Sequence, residues 1–114
     1  MNQIDPNWEV SVQDVKRMLD DRADFLLLDV RQPDEGEVCK IDGARLVPLP
    51  ELGERLNELR EMANGRPVIA HCHHGGRSLQ AAAILRQAGL GEVRSMAGGI
   101  HLWALQIDSN MAQY

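Results

Sequence analysis

The chain has 114 residues, a net charge of −5 at pH 7, and 44% hydrophobic residues. It is long enough for one packed core and too short for two. The acidic balance argues against nucleic-acid binding, which needs a clustered excess of lysine and arginine. The apolar runs are too short to cross a bilayer, and the start lacks the pattern of a secretory signal. We therefore expect one cytoplasmic domain over residues 1–114, with no membrane or nucleic-acid partner.

The first part of the chain predicts a helix followed by a buried strand. Ser11 and Asp14 form a pattern similar to a capping box, and apolar residues follow at helical spacing between residues 12 and 19. Residues 25–30 are a continuous apolar run without alternation. Such a run is typical of a strand that is covered on both faces, as in a parallel sheet.

The next segment predicts irregular structure and then the edge of the sheet. Residues 32–43 are rich in Pro, Asp, Glu and Gly and favour a loop. Residues 44–49 favour a short strand. It must lie at an edge, because Pro48 and Pro50 cannot donate to neighbours on both sides.

The remaining elements alternate between helix and strand. Apolar spacing predicts helices over residues 52–63, 81–88 and 100–107, with strands over 68–71 and 93–96 between them. This alternation predicts an α/β domain with a mainly parallel sheet of about five strands and helices on both faces. Ligands of such sheets bind beyond the carboxyl ends of the strands.

The most informative segment is Cys72-His73-His74-Gly75-Gly76-Arg77, directly after the strand over residues 68–71. A thiolate is the reactive form of cysteine, and several features of this loop favour a negative charge. The loop enters a helix N-terminus, and the glycines permit a nest of inward-facing amides. Arg77 adds a positive charge, and His73 and His74 add further hydrogen-bond donors. Cys72 is therefore the candidate nucleophile.

The chain resembles the rhodanese family of sulfurtransferases over roughly residues 8–108. The Cys72 loop is similar to the active-site pattern Cys-x-x-Gly-x-Arg of that family. Three further motifs of the family occur in the expected order along the chain. The first begins at Asp29-Val30-Arg31 and extends to Glu35, the second is Ile41 with Gly43-Ala44, and the third is Gly98-Gly99-Ile100 with Trp103. The chain departs from the family pattern at Gly36, where a bulky aromatic residue is common, and this departure predicts a more open pocket.

The resemblance implies a two-step transfer of sulfur. Cys72 would take the outer sulfur of thiosulfate or of a protein persulfide and then pass it to a thiophilic acceptor. The loop residues His73, His74, Gly75, Gly76 and Arg77 would bind the transferred sulfur. No metal or organic cofactor is implied, and a cysteine desulfurase or a sulfur-carrier protein are the expected macromolecular partners.

The motif Asp29-Val30-Arg31 and its position after a buried strand make Asp29 and Arg31 candidate supporting residues. They come at the end of a buried strand, where they either form an internal ion pair or help to orient the Cys72 loop. Cys39 has two interpretations as well, a small residue packed in a loop or a second thiol that exchanges sulfur with Cys72. The cation next to Cys39 in the sequence is Lys40.

A zinc site formed by His71, Cys72, His73 and His74 is disfavoured. Side chains of consecutive residues diverge, whereas structural zinc sites use ligands separated by two to four residues. The sequence thus predicts no metal site.

The alternatives are a cysteine phosphatase or arsenate reductase of related fold, and a binding module without catalysis. His71-Cys72 resembles the start of the phosphatase loop His-Cys-x5-Arg, but four residues separate Cys72 from Arg77 here. The shorter loop fits one sulfur atom better than a tetrahedral oxyanion. Non-catalytic relatives typically lose the cysteine or break the loop, whereas this chain keeps Cys72 and Arg77.

Overall fold

The computed structural model describes residues 8–114. Within that range, five parallel strands form one sheet in the order β1-β5-β4-β2-β3, with helices on both faces. The strands are β1 (Glu9–Val10), β2 (Leu26–Asp29), β3 (Arg45–Leu46), β4 (Val68–His71) and β5 (Val93–Met96). The helices are α1 (Val12–Asp20), α2 (Pro33–Val38), α3 (Leu56–Ala63), α4 (Gly76–Gln87) and α5 (Gly99–Gln106), with a 3₁₀ helix over Leu49–Arg55.

The side chains of β2 alternate between the two faces of the sheet and contribute to a separate apolar cluster on each face. Leu26 and Leu28 pack into the cluster that α3 and α4 cover. Leu27 packs into the cluster that α1 and α5 cover. Burial on both faces explains why β2 is an uninterrupted apolar run rather than an alternating one.

The central strand β4 brings the candidate site residues to one edge of the sheet. It pairs with β2 so that Asp29 lies opposite His71, and with β5 so that Ala70 lies opposite Ser95. Since the strands are parallel, their carboxyl ends meet at the same edge. Cys72 therefore leaves the sheet between the ends of β2 and β5, where α/β proteins bind their ligands.

Local sequence explains how the helices begin and end. The Ser11 side chain accepts a hydrogen bond from the Asp14 amide at 3.0 Å, as the N-cap of α1. Asn64 has a φ of +50° and ends α3 in the left-handed region. No helix within residues 8–114 is both long and apolar enough to cross a membrane.

The structure corrects several of the predicted boundaries. The segment 32–43 is not all loop, because α2 begins at Pro33 and Glu35 accepts a hydrogen bond from the amide of Gln32. The helical pattern from residue 52 begins as a 3₁₀ helix and becomes α-helix only at Leu56. β1 was not predicted, because two residues are too few for a hydrophobic period to appear.

Candidate active site around Cys72

Cys72 lies immediately after β4, and its sulfur is surrounded by hydrogen-bond donors. The amide of Gly75 donates to Sγ at 3.0 Å, and the amide of Ser78 does so at 3.4 Å. The Ser78 hydroxyl also lies 3.4 Å from Sγ. These dipoles favour negative charge on the sulfur. The residue is only 1% exposed, so a second molecule reaches Sγ only when surrounding groups shift.

Gly75 has the backbone conformation that turns the loop around the sulfur. Its φ is +112°, in a region that residues with a side chain rarely adopt. A Cβ added here would also lie 3.3 Å from the amide nitrogen of Gly98. Gly76 follows as the first residue of α4. The predicted need for glycine in this loop is explained at Gly75 by its positive φ and by the close amide of Gly98.

Ser78 and Ser95 form a buried polar pair beneath the loop that sequence reasoning missed. Their hydroxyl oxygens are 2.6 Å apart, and the Ser78 hydroxyl donates to the carbonyl of Gly75 at 3.2 Å. Both side chains are fully buried. Ser78 thereby contacts the sulfur and also holds the turn in place. A serine directly after the Cys-x-x-Gly-x-Arg pattern was the available signal for Ser78, whereas Ser95 had none.

Arg77 makes a bidentate ion pair with Glu35. The guanidinium donates to the carboxylate oxygens at 2.6 and 2.8 Å. This hydrogen bonding lowers the pKa of Glu35 far below its usual range and raises the pKa of Arg77. The positive charge of Arg77, which the sequence predicts beside Cys72, is therefore paired with the negative charge of Glu35. Sequence reasoning did not place Glu35 in the site.

Asp29 and Arg31 form a buried ion pair at the end of β2. Arg31 donates through Nε and Nη2 to the two Asp29 oxygens at 2.9 and 2.8 Å. Arg31 also donates to the carbonyl of Cys39 at 2.8 Å, and its Nη1 lies 3.9 Å from the Cys39 sulfur. The cation beside Cys39 is thus Arg31, which the neighbouring sequence did not indicate.

His71 ends β4 as a fully buried imidazole. Among the described residues, neither ring nitrogen has a hydrogen-bond partner, and Asp29 is 3.9 Å away, too far for a hydrogen bond. Burial lowers the pKa of His71 to about 4 and outweighs the opposite effect of Asp29. His71 is therefore neutral near pH 7.

The start of α5 is clamped onto the Cys72 loop. The amide of Ile100 donates to the carbonyl of Cys72 at 2.9 Å, and the amide of His101 donates to that of His73 at 3.0 Å. Gly99 permits this approach, because a Cβ at this position would lie 2.4 Å from the carbonyl oxygen of His73. The second glycine of the Gly98-Gly99-Ile100 motif is thus required by close packing.

Tyr114 lies over the other side of the loop. Its ring stacks on His73 with centroids 3.8 Å apart, and its hydroxyl donates to Glu35 at 2.7 Å. Arg31 donates to the same hydroxyl at 3.0 Å. Burial raises the pKa of Tyr114 to about 12. Nothing in the sequence pattern indicated this contact, because Tyr114 is far from the other residues along the chain.

One cavity of the described structure lies away from Cys72. It has a volume of about 640 Å³ between α1 and α5, and its lining includes Lys16, Lys40 and Trp103. Its lining contains neither cysteine. The Cys72 loop is the candidate site instead, because hydrogen-bond donors converge there on a thiol.

The model of the rhodanese-like domain family matches residues 11–106. The chain belongs to the rhodanese-like family. The match includes the Cys72 loop, Asp29, Arg31 and the start of α5. The resemblance drawn from the motifs is therefore confirmed, and so is the predicted parallel α/β fold.

Relatives with sulfurtransferase names match most of this chain in sequence. The chain is 34% identical to the probable adenylyltransferase/sulfurtransferase MoeZ of Mycobacterium tuberculosis, in an alignment that covers 92% of this chain and 26% of that protein. It is also 34% identical to the adenylyltransferase and sulfurtransferase MOCS3 of Bos taurus, covering 97% of this chain and 28% of that one. The chain thus spans about a quarter of the length of these curated relatives.

A solved structure of similar length is the human single-domain sulfurtransferase TSTD1. The superposition has a TM-score of 0.74 with 25% sequence identity, and it covers 87% of this chain and 96% of that one. The rhodanese-like domain described here is therefore homologous to sulfurtransferase domains, both isolated and within longer proteins.

Proposed function

We propose that this domain is a sulfurtransferase that carries sulfane sulfur as a persulfide on Cys72. The donor is thiosulfate or a protein persulfide, and the acceptor is a thiophilic nucleophile. The observation that carries the proposal is the position of Sγ at the end of β4, where the amides of Gly75 and Ser78 donate to it. Hydrogen bonds of this kind stabilise both the thiolate that attacks and the persulfide that forms.

The first half-reaction loads the sulfur. The Cys72 thiolate attacks the outer sulfur of thiosulfate, an S–S bond forms to Cys72, and the S–S bond of thiosulfate breaks. Sulfite leaves with the electron pair. With a protein persulfide as donor, the donor cysteine leaves as its thiolate instead. No oxidant or cofactor is consumed.

The second half-reaction unloads the sulfur. A nucleophile such as cyanide or a thiolate attacks the terminal sulfur, and Cys72 leaves as the thiolate that started the cycle. The order of steps predicts ping-pong kinetics. The first amides of α4, which include those of Gly76 and Arg77, have no acceptor within their own helix. We assign them, with His73 and His74, to binding of the terminal sulfur.

Intact-mass measurement after incubation with thiosulfate tests the proposal. We expect the wild type to gain the mass of one sulfur atom, and to lose it again when cyanide is added. Cys72→Ser should gain nothing, while the matched control Cys39→Ser should load like the wild type. Loading of Cys72→Ser, or the absence of loading in the wild type with both thiosulfate and a protein persulfide, would contradict the proposal.

The alternative activities are tested with the same proteins. A phosphatase of related fold would release phosphate from an aryl phosphate and would not load sulfur. A binding module would do neither, and its cellular role would survive Cys72→Ser. The four-residue spacing between Cys72 and Arg77 and the donors around Sγ both favour sulfur transfer over these alternatives.

The donor class is tested at Gly36, next to the Glu35–Arg77 pair. A Cβ added to Gly36 meets no atom within 4 Å among the described residues, so a side chain can begin here without a clash at Cβ. Gly36→Phe should then reduce loading from a persulfidated cysteine desulfurase or sulfur-carrier protein more than loading from thiosulfate. Gly36→Ala is the control for the change in helix α2. An equal effect on both donors would remove the argument for a protein partner.

A further inference from the structure

Within residues 8–114, imidazoles from separate parts of the sequence meet beside the Cys72 loop. His73 and His74 follow Cys72, and His101 comes from α5. One ring nitrogen of each lies within 4.8 Å of the others. The ring centroids are 3.9 Å apart for His73 and His74, and 4.8 Å apart for His74 and His101.

We propose that His73, His74 and His101 form a binding site for one divalent transition-metal ion such as Zn²⁺. The prediction of no metal site was argued only from the consecutive residues 71–74. The structure adds His101, and it leaves His71 and Cys72 outside the group of converging ligands. The rings of the consecutive residues His73 and His74 do not diverge here, since their centroids are 3.9 Å apart, and His101 comes from a separate helix.

The main chain fixes the spacing of these ligands. The amide of His101 donates to the carbonyl of His73 at 3.0 Å, and Gly99 packs against the same carbonyl. The ring of His73 is held in its plane by the stacked ring of Tyr114, with 8° between the two planes. Two of the ligands are therefore held in place by packing. Such preorganisation lowers the entropic cost of binding.

The donor chemistry selects the kind of metal ion. Imidazole nitrogens suit zinc, copper, nickel and cobalt, whereas calcium and magnesium prefer oxygen ligands. Metal–nitrogen bonds of about 2.0–2.1 Å place tetrahedral ligands about 3.4 Å apart. Ring nitrogens that lie up to 4.8 Å apart must therefore close by up to about 1.4 Å. The side chain of His74 is exposed and those of His73 and His101 are half-buried, so the rings have room to move this far. Three histidines leave a fourth position for water or for an external ligand.

Metal binding should also control the neighbouring thiol, and this consequence rests on the proposed sulfur transfer. His73 and His74 are among the groups beside the buried sulfur of Cys72, some of which must shift before a donor reaches it. A metal ion that joins them to His101 ties the Cys72 loop to α5. Bound metal should therefore slow the loading of Cys72.

Calorimetry with Zn²⁺ tests binding, and the absorption of bound Co²⁺ reports on the ligands. The protein is used without a histidine tag and after treatment with a chelator. We expect one ion per chain, and His101→Ala should weaken binding by about tenfold or more. Leu105→Ala, an exposed position on the same helix, should bind like the wild type. The double variant Cys39→Ser/Cys72→Ser should also bind, because no thiol is a ligand.

Unchanged Zn²⁺ affinity in His101→Ala, or loss of binding in the cysteine double variant, would overturn the metal site. The consequence for loading is measured as the ratio of rates with and without Zn²⁺, which should be smaller than one for the wild type and close to one for His101→Ala. Metal binding without any sulfur loading would contradict the proposed function alone. Sulfur loading without metal binding would contradict this inference alone.

Discussion

The ion pairs Asp29–Arg31 and Glu35–Arg77 lie at the same edge of the sheet but in different surroundings. The first is almost fully buried, with Arg31 0% and Asp29 4% exposed. The second is partly open to water, with Arg77 35% and Glu35 17% exposed. Both are bidentate and of similar length. The difference between them is therefore in solvation and not in geometry.

Solvation decides what each pair can do. Separating the buried pair leaves a charge without a partner in an apolar interior, so this pair can only hold the ends of β2 and the Cys39 loop together. The partly exposed pair costs less to open than the buried one, because water can solvate the separated charges. In the proposed sulfur transfer, Arg77 would then exchange Glu35 for an anionic sulfur donor. We therefore expect Asp29 and Arg31 to support the structure, and Arg77 to act on the substrate.

The largest effect is expected from breaking the buried pair. Arg31→Met leaves Asp29 as an unpaired buried charge and should lower the free energy of unfolding by about 3–5 kcal/mol. The measurement is urea denaturation at pH 7. The control Arg17→Met removes an exposed pair with Asp14, and it should cost about 0.5 kcal/mol or less. Equal costs for both variants would contradict the distinction drawn from burial.

The next effect is a dependence of stability on pH that comes from His71. Its pKa is about 4 in the folded protein, below the value of about 6.5 expected in the unfolded chain. The unfolded chain therefore binds a proton first as the pH falls. The stabilisation is complete above pH 6.5 and is lost between 6.5 and 4, by about 3 kcal/mol in total.

The variant His71→Leu isolates this contribution, because other titrating groups contribute to both proteins. Urea denaturation at several pH values should give a steeper loss for the wild type than for His71→Leu between pH 6.5 and 4. Parallel curves would show that His71 is not kept neutral by burial.

A smaller effect is expected at the partly exposed pair, and it should be on rate. Arg77→Gln should slow the loading of Cys72 by thiosulfate by about tenfold, or about 1.4 kcal/mol in the barrier. The free energy of unfolding should change by less than about 1 kcal/mol. Loading is followed by intact mass, with Arg17→Gln as the control for net charge. A large loss of stability without a change in loading rate would place Arg77 with Arg31 as a structural residue.

The smallest effect is expected at Tyr114, whose hydroxyl joins the two pairs. It accepts from Arg31 and donates to Glu35. Tyr114→Phe should cost about 1 kcal/mol of stability. A double-mutant cycle of Tyr114→Phe with Glu35→Gln should show a coupling of similar size. Strictly additive effects would show that the hydroxyl does not connect the pairs.

The elements of the sheet were predictable where the pattern is long or continuous. β2 and β4 are short apolar runs that end in polar residues, and the helix after Ser11 has its cap in the sequence. The strand β1 and the helix α2 were missed. β1 has two residues, and α2 has no buried residue to produce a period. Pairing with β5 stabilises β1, whereas the start of α2 is local, with Pro33 in its first turn and a capping contact between Gln32 and Glu35.

The candidate site divides in the same way. Cys72 to Arg77 could be recognised because the loop is contiguous and its residue types are unusual for a core. Glu35 lies in the motif that begins at Asp29, but its contact with Arg77 joins α2 to α4 and cannot be read from the sequence. Ser95, His101 and Tyr114 reach the loop only through the packing of β5, α5 and the last residues of the chain. Distances along the chain carry no information about such contacts.

The order of residues alone thus determined the family and the parallel α/β architecture, because both depend on local patterns of polarity and on short motifs, and it predicts Cys72 as the nucleophile. Tertiary structure decided which charges are buried, which carboxylate faces Arg77 and which imidazoles converge. These properties depend on how separate elements pack, since burial and proximity set the strength of every charge interaction.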